Sequence, residues 1–218
     1  MKEFSCYLFD ADGTLFDTTE LICQCFLNTA KYAKKPGLKR TEILRYIGMT
    51  LRDQMNIHFG PLSDQHFSEL RSIHMEYQLS IYKDYLKLFD GVLETLQFLK
   101  EQGKRCAVVT SRFRASLDTY LTDTGIISYF DHFITPEVTS KHKPDAEPAV
   151  KALELLNVSA EDAILIGDST FDIECGAAAG TKTAFVLWSL NNISSLRVAP
   201  TYFLEKMTDL CCWKGITI

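Results

Sequence analysis

Two carboxylates one residue apart, Asp10 and Asp12, follow directly on an apolar, aromatic run from Phe4 to Phe9. That run reads as a buried strand, and the carboxyl ends of strands are where α/β proteins place their chemistry. Bringing two acids together is costly unless a cation shares them. Gly13 permits a tight backbone turn after them, and Thr14 offers a hydroxyl. Residue types in this order suit a loop that presents a nucleophile and magnesium ligands for phosphoryl transfer. Taken singly, each residue also fits an ordinary acidic turn after a strand.

A loop of this kind needs a scaffold, and the rest of the chain supplies the pattern of one. From Asp90 onward, strand-like and helix-like segments alternate. Strands are expected at Cys106 to Thr110, Phe130 to Thr135, Ala163 to Ile166, Thr183 to Trp188 and Tyr202 to Leu204. Helices are expected at Val92 to Leu99, at Arg114 to Gly125, from Pro148 through Leu156, and at Cys175 to Ala179. This order implies an α/β, doubly wound, Rossmann-like parallel sheet with right-handed crossovers. Residues 19–88 break the rhythm with helical pieces alone: Leu21 to Tyr32, one from Thr41, one from about Leu51, and Ser63 to near Tyr85. The expectation is a core of residues 1–16 and 89–218 carrying a small all-helical cap of residues 17–88.

Composition narrows the class. The 218-residue chain has a formal net charge of −5, 46% hydrophobic residues and no long basic run, which disfavours a nucleic-acid partner. No apolar stretch approaches a membrane span, and no signal segment precedes Asp10. The seven cysteines include no C-x-x-C pair, so a zinc or redox motif is disfavoured, and reduced thiols fit a cytoplasmic setting. Oligomeric state is not legible, and monomer is the default.

Four segments stand at the ends of expected strands: Asp10-Ala-Asp-Gly-Thr14, Thr110-Ser111, Lys143-Pro144 and Gly167-Asp168 leading to Asp172. In this order they resemble the haloacid dehalogenase-like superfamily of phosphatases. The helical segment after the first motif resembles the cap of that family's phosphoglycolate phosphatase-like and β-phosphoglucomutase-like branch. The resemblance implies that Asp10 attacks phosphorus and that Asp12 serves as general acid and then base. It implies that Thr110 and Ser111 hold phosphoryl oxygens, and that Lys143 offsets the phosphoryl charge and that of the nucleophile. It also implies a Mg2+ site drawn from Asp10, Asp12 (through its carbonyl), Asp168 and Asp172. Other readings of these residues are Asp12 as a second metal ligand and Asp168 as a plain helix cap, each compatible with the first role, and Asp172 as an orienter of Lys143 or of a metal-bound water. The family's usual second proline after Pro144 is replaced by Ala146, which touches the rigidity of the following helix start.

The substrate is expected to be a small phosphorylated metabolite, phosphoglycolate-like. The tail from Gly180 to Leu210 is similar to cytosolic pyrophosphatases of the family, and a β-phosphoglucomutase-like isomerase or a non-catalytic binding protein are the remaining alternatives. Asp12 argues against a dehalogenase, which needs no second aspartate. Arg52 and, more weakly, Arg112 are candidates to clamp a second anionic group on the substrate, each balanced against a solvated surface role.

Overall fold

A computed structural model describes residues 4–191 and 193–212; the outermost parts of the expected core, residues 1–3 and 213–218, lie outside the described residues. Strands β1 (Cys6–Phe9), β2 (Arg105–Val109), β3 (His132–Ile134), β4 (Ala163–Gly167), β5 (Lys182–Val186) and β6 (Tyr202–Leu204) form one parallel sheet in the order β3-β2-β1-β4-β5-β6. The order reverses at β1, so the carboxyl ends of β1 and β4 flank the switch point, where doubly wound sheets leave a crevice. All four residues of β1 are buried, as expected for a strand covered on both faces.

Side-chain alternation sorts the strands' residues onto two cores. Phe9, Val108 and Ile166 face α5 (Val92–Glu101) and α6 (Arg114–Asp123), whose Leu96, Leu99, Leu117 and Tyr120 complete that cluster. Leu8, Ala107 and Leu165 face the opposite way, against Ala149, Ala152 and Leu156 of α7 (Glu147–Leu156) and Cys175 of α8 (Thr170–Ala178). A short α9 (Asp209–Cys212) closes the described chain.

Between β1 and α5 the chain forms helices alone: α1 (Thr19–Tyr32), α2 (Arg40–Leu44), α3 (Leu51–Phe59) and α4 (Asp64–Tyr85). Thr50 and Ser63 cap α3 and α4, their hydroxyls accepting from the N–H groups of Asp53 and His66. Cys23, Phe26, Ile43, Met55, Phe67 and Leu70 make a third buried cluster within this segment. Cys23 and Cys25 point to different sides of α1, Cys23 into that cluster and Cys25 into the one shared with the sheet.

The two connections to the sheet run side by side. Asp17 N donates to the Lys87 carbonyl at 2.9 Å, and Phe89 N to the Leu15 carbonyl at 3.0 Å. No described helix is long and apolar enough to cross a membrane.

Candidate active site

Three strand ends deliver the acidic and hydroxyl groups. Asp10 follows β1, Thr110 follows β2 and Asp168 follows β4. Their backbones stay in register, with Asp10 N donating to the Ile166 carbonyl and Thr110 N to the Ile134 carbonyl, each at 2.9 Å. Lys143 arrives from the β3–α7 loop, and its Nζ donates to Asp10 Oδ1 at 2.6 Å, Asp172 Oδ1 at 2.5 Å and the Val109 carbonyl at 3.1 Å. The loop is held without a proline at Ala146: Glu147 accepts from Ser140 N and Lys141 N at 2.8 Å, and Pro148 occupies the first turn of α7.

Asp10, Asp168 and Asp172 are buried and offer carboxylate oxygens that all lie within 4.8 Å of one another. Burial pushes the Asp10 carboxyl well above the usual carboxylate range, with Asp172 and Asp168 adding to the effect and Lys143 opposing it. Burial and then Asp172 lift Asp168 to about 7. Burial works against a charged Lys143, but Asp10 and Asp172 outweigh it and hold the ammonium protonated. One ammonium therefore faces three acids. Hard oxygen donors in a buried cluster short of positive charge are a donor set that fits Mg2+.

Asp12 stands apart from that cluster. Its carboxylate accepts the Thr18 hydroxyl, Arg112 Nε at 2.8 Å and Arg112 Nη2 at 2.6 Å. The guanidinium and hydroxyl engage both carboxyl oxygens, which bears on the alternative of the carboxylate as a second metal ligand and not on the metal contact expected through the Asp12 carbonyl. Asp168 is not the cap of α8; Ser169 is, in a capping box with Asp172, while Asp168 accepts from the Ser189 hydroxyl at 2.7 Å and Asn191 Nδ2 at 2.8 Å. Asp172 accepts from Lys143 Nζ, a contact that fits the orienting role among those open to it from the sequence.

The two arginines sit otherwise than expected. Arg52 is on the outer side of α3, paired with Asp64 at 2.7 Å and stacked over Phe67, and it does not line the cavity. Its helical position turns it to α4 instead of the sheet edge. Arg112 does line the cavity, but its Nε and Nη2 are engaged by Asp12, and its plane covers the Tyr120 ring at 4.4 Å. Thr110 also lines the cavity, and its hydroxyl accepts from Arg112 N at 3.1 Å. Ser111 points its hydroxyl to the Gly48 carbonyl at 2.6 Å, tying the sheet's edge to the helical segment.

The sequence reading missed Thr18, Ser189 and Asn191, which hold Asp12 and Asp168. Ser189 and Asn191 lie just beyond the end of β5, a position that places polar residues at the same sheet edge. It also missed Gln54, His74 and Gln78, which the helical segment contributes to the cavity and which carry no motif.

This fold and site define a class. The haloacid dehalogenase-like hydrolase family matches residues 7–186, and the chain belongs to that family. It is a hydrolase of the phosphatase kind. The chain is 34% identical over 216 residues to the protein named Pyrophosphatase PpaX of Bacillus velezensis, covering 99% of this chain and 98% of that one. A solved structure described as a haloacid dehalogenase-like hydrolase from Bacteroides fragilis superposes with a TM-score of 0.84 at 29% identity, covering 92% of this chain and 96% of that one. One described as a predicted phosphoglycolate phosphatase from Haemophilus somnus shares the fold, with a TM-score of 0.85 at 22% identity over 98% and 99% of the two chains.

Proposed function

We propose that this protein is a magnesium-dependent phosphatase that hydrolyses a small phosphorylated metabolite through an aspartyl-phosphate on Asp10. The observation that carries the reading is the Lys143 ammonium 2.6 Å from Asp10, inside a three-carboxylate cluster at the switch point of the sheet. Asp10 attacks phosphorus and the bond from phosphorus to the ester oxygen breaks. Asp12, whose carboxylate accepts from Arg112 and Thr18 in this structure, has to take up a proton before this step and then gives it to that oxygen. Water then attacks the phosphorus, Asp12 takes the water's proton, and the bond from phosphorus to Asp10 breaks to release phosphate. Thr110 and Ser111 orient the phosphoryl oxygens, and Lys143 keeps the nucleophile charged and aimed. Asp10, the Asp12 carbonyl and Asp168 would hold Mg2+ with Asp172 behind them; the ion would supply charge neutralisation on the transferring group.

Residues 17–88 act in this reading as a cap over a core of residues 1–16 and 89–218, hinged where the two connections pair. The Ser111–Gly48 contact supports closure of that cap on the site. A second reading, hydrolysis of pyrophosphate, is favoured by the name of the Bacillus velezensis relative. Free cysteines at all seven positions suit a cytoplasmic setting. A screen of phosphate esters and pyrophosphate, with Mg2+ and with chelator, tests the proposal. Phosphate release that needs Mg2+ and disappears in Asp10→Asn is expected; release that survives that substitution contradicts it.

A further inference from the structure

β4 and β5 are neighbours with Gly167 opposite Phe185, so the chain leaving β5 passes beside Asp168. Leu187 N donates to the Leu204 carbonyl at 2.9 Å, and the Trp188 ring lies 6.2 Å from that of Phe89. Beyond these anchors the usual sorting of side chains is inverted. Leu190 is 67% exposed, while the polar residues on either side of it, Ser189 and Asn191, turn to the Asp168 carboxylate. A loop that leaves an apolar side chain in water to direct two polar ones inward is built around the acid they meet.

Both donors converge on one oxygen. Ser189 Oγ accepts from Asn191 N at 3.1 Å, and its own proton goes to Asp168 Oδ2 at 2.7 Å. Asn191 Nδ2 donates to the same Oδ2 at 2.8 Å, and a carboxylate only accepts, so the amide's orientation is fixed. Gly13 backs that oxygen, since a Cβ there would collide with it. The acceptor sites of Oδ2 are thus filled. Among the described residues no donor reaches Oδ1, which leaves it as the oxygen open to a cation. Mg2+ demands near-ideal octahedral geometry, whereas the larger Ca2+ accepts more ligands and also takes a carboxylate through both oxygens.

We infer that Ser189 and Asn191 are positioning residues that hold Asp168 to ligation through Oδ1 alone and so bias the site toward Mg2+ and against Ca2+. The inference rests on the magnesium-dependent reading and adds to it the source of a cation preference.

Calorimetric titration of Mg2+ and of Ca2+ into the wild type, Ser189→Ala, Asn191→Ala and Ser189→Thr tests it, beside phosphate release from the ester screen. Each alanine variant should bind Mg2+ roughly tenfold more weakly, with Ca2+ affinity changed by less than about threefold. Ser189→Thr keeps the hydroxyl and should keep the wild-type ratio of the two affinities. The alanine variants are made separately, so that one that fails to fold leaves the other to decide. Equal weakening of both ions, which a merely structural role would give, or an unchanged ratio overturns the inference while the function stands. A wild type that binds neither ion overturns both. A ratio that shifts as expected while no ester or pyrophosphate is hydrolysed leaves this role standing and removes the hydrolytic reading.

Discussion

Arg112 grips Asp12 across 100 positions of sequence, Nε to Oδ2 at 2.8 Å and Nη2 to Oδ1 at 2.6 Å, with both side chains largely buried. Gln78 Oε1 and the Ser116 hydroxyl accept from its Nη1 at 3.4 and 3.3 Å, so the guanidinium also touches α4 and α6. A planar fork fits a carboxylate at two points, and an ammonium cannot reproduce that. Arg112 is therefore a positioning residue for Asp12.

Arg112→Lys should lower kcat about 10- to 100-fold while KM changes by only a few fold, because orientation of the acid–base group matters in the transition state. Steady-state kinetics on one ester measures the split; a rise in KM with kcat intact would mean that Arg112 binds substrate. Arg112→Met should also cost about 3–5 kcal/mol of stability, since it leaves Asp12 without its buried partner.

Three buried acids around one ammonium make the metal-free protein short of positive charge. Mg2+ at a hundred times its Kd should stabilise the fold by about 2.7 kcal/mol, raising Tm by roughly 5–10 °C. Asp168→Asn should lose most of that response, yet be at least as stable as the wild type without metal. Thermal melts with Mg2+ and with chelator check both signs, and a wild type indifferent to Mg2+ would contradict the site.

Gly13 has φ +84°, and a Cβ there would collide with the Asp168 carboxylate. Gly103 has φ +66° with open space where a Cβ would lie. Both alanine substitutions should cost about 1–2 kcal/mol from the backbone alone. Gly13→Ala should in addition weaken Mg2+ binding, and Gly103→Ala should not. Calorimetric Mg2+ titration of the two variants separates them.

His74 is buried beneath Phe26, with Nδ1 3.1 Å from the Thr29 hydroxyl, and its pKa falls to about 3 through burial and then the nearby Arg112. The unfolded chain takes up a proton near pH 6.5 that the folded one refuses. Stability from this residue is thus complete above about pH 6.5 and lost as pH falls toward 3, at roughly 1.4 kcal/mol per unit. Urea denaturation of wild type and His74→Gln, both with chelator, should diverge by about 2 kcal/mol between pH 7 and 5. Parallel pH profiles would show that His74 protonates in the folded state.

How far the sequence foretold the structure differs by layer. The strand expected at Tyr202 to Leu204 and the helix expected from Ser63 to Tyr85 match β6 and α4 with its Ser63 cap, because runs of one period and a hydroxyl cap are local signals. Bringing Asp10, Lys143, Asp168 and Asp172 together followed from strand ends sharing one sheet edge. The fates of Arg52 and Arg112 were not legible, since each depends on a distant carboxylate, Asp64 or Asp12, reached only through helix packing. Gln54 and His74 carried no pattern at all; α3 and α4 had to be placed over the sheet before either became part of a cavity.

The whole account turns on the Asp10 carboxylate becoming phosphorylated. Rapid quenching during turnover with Mg2+, followed by borohydride reduction and peptide mapping, reads this directly. The reduced acyl-phosphate should map to Asp10 and be missing from Asp10→Asn. Phosphate release with no trapped species at any quench time, or a label on Asp12 or another residue, would contradict it.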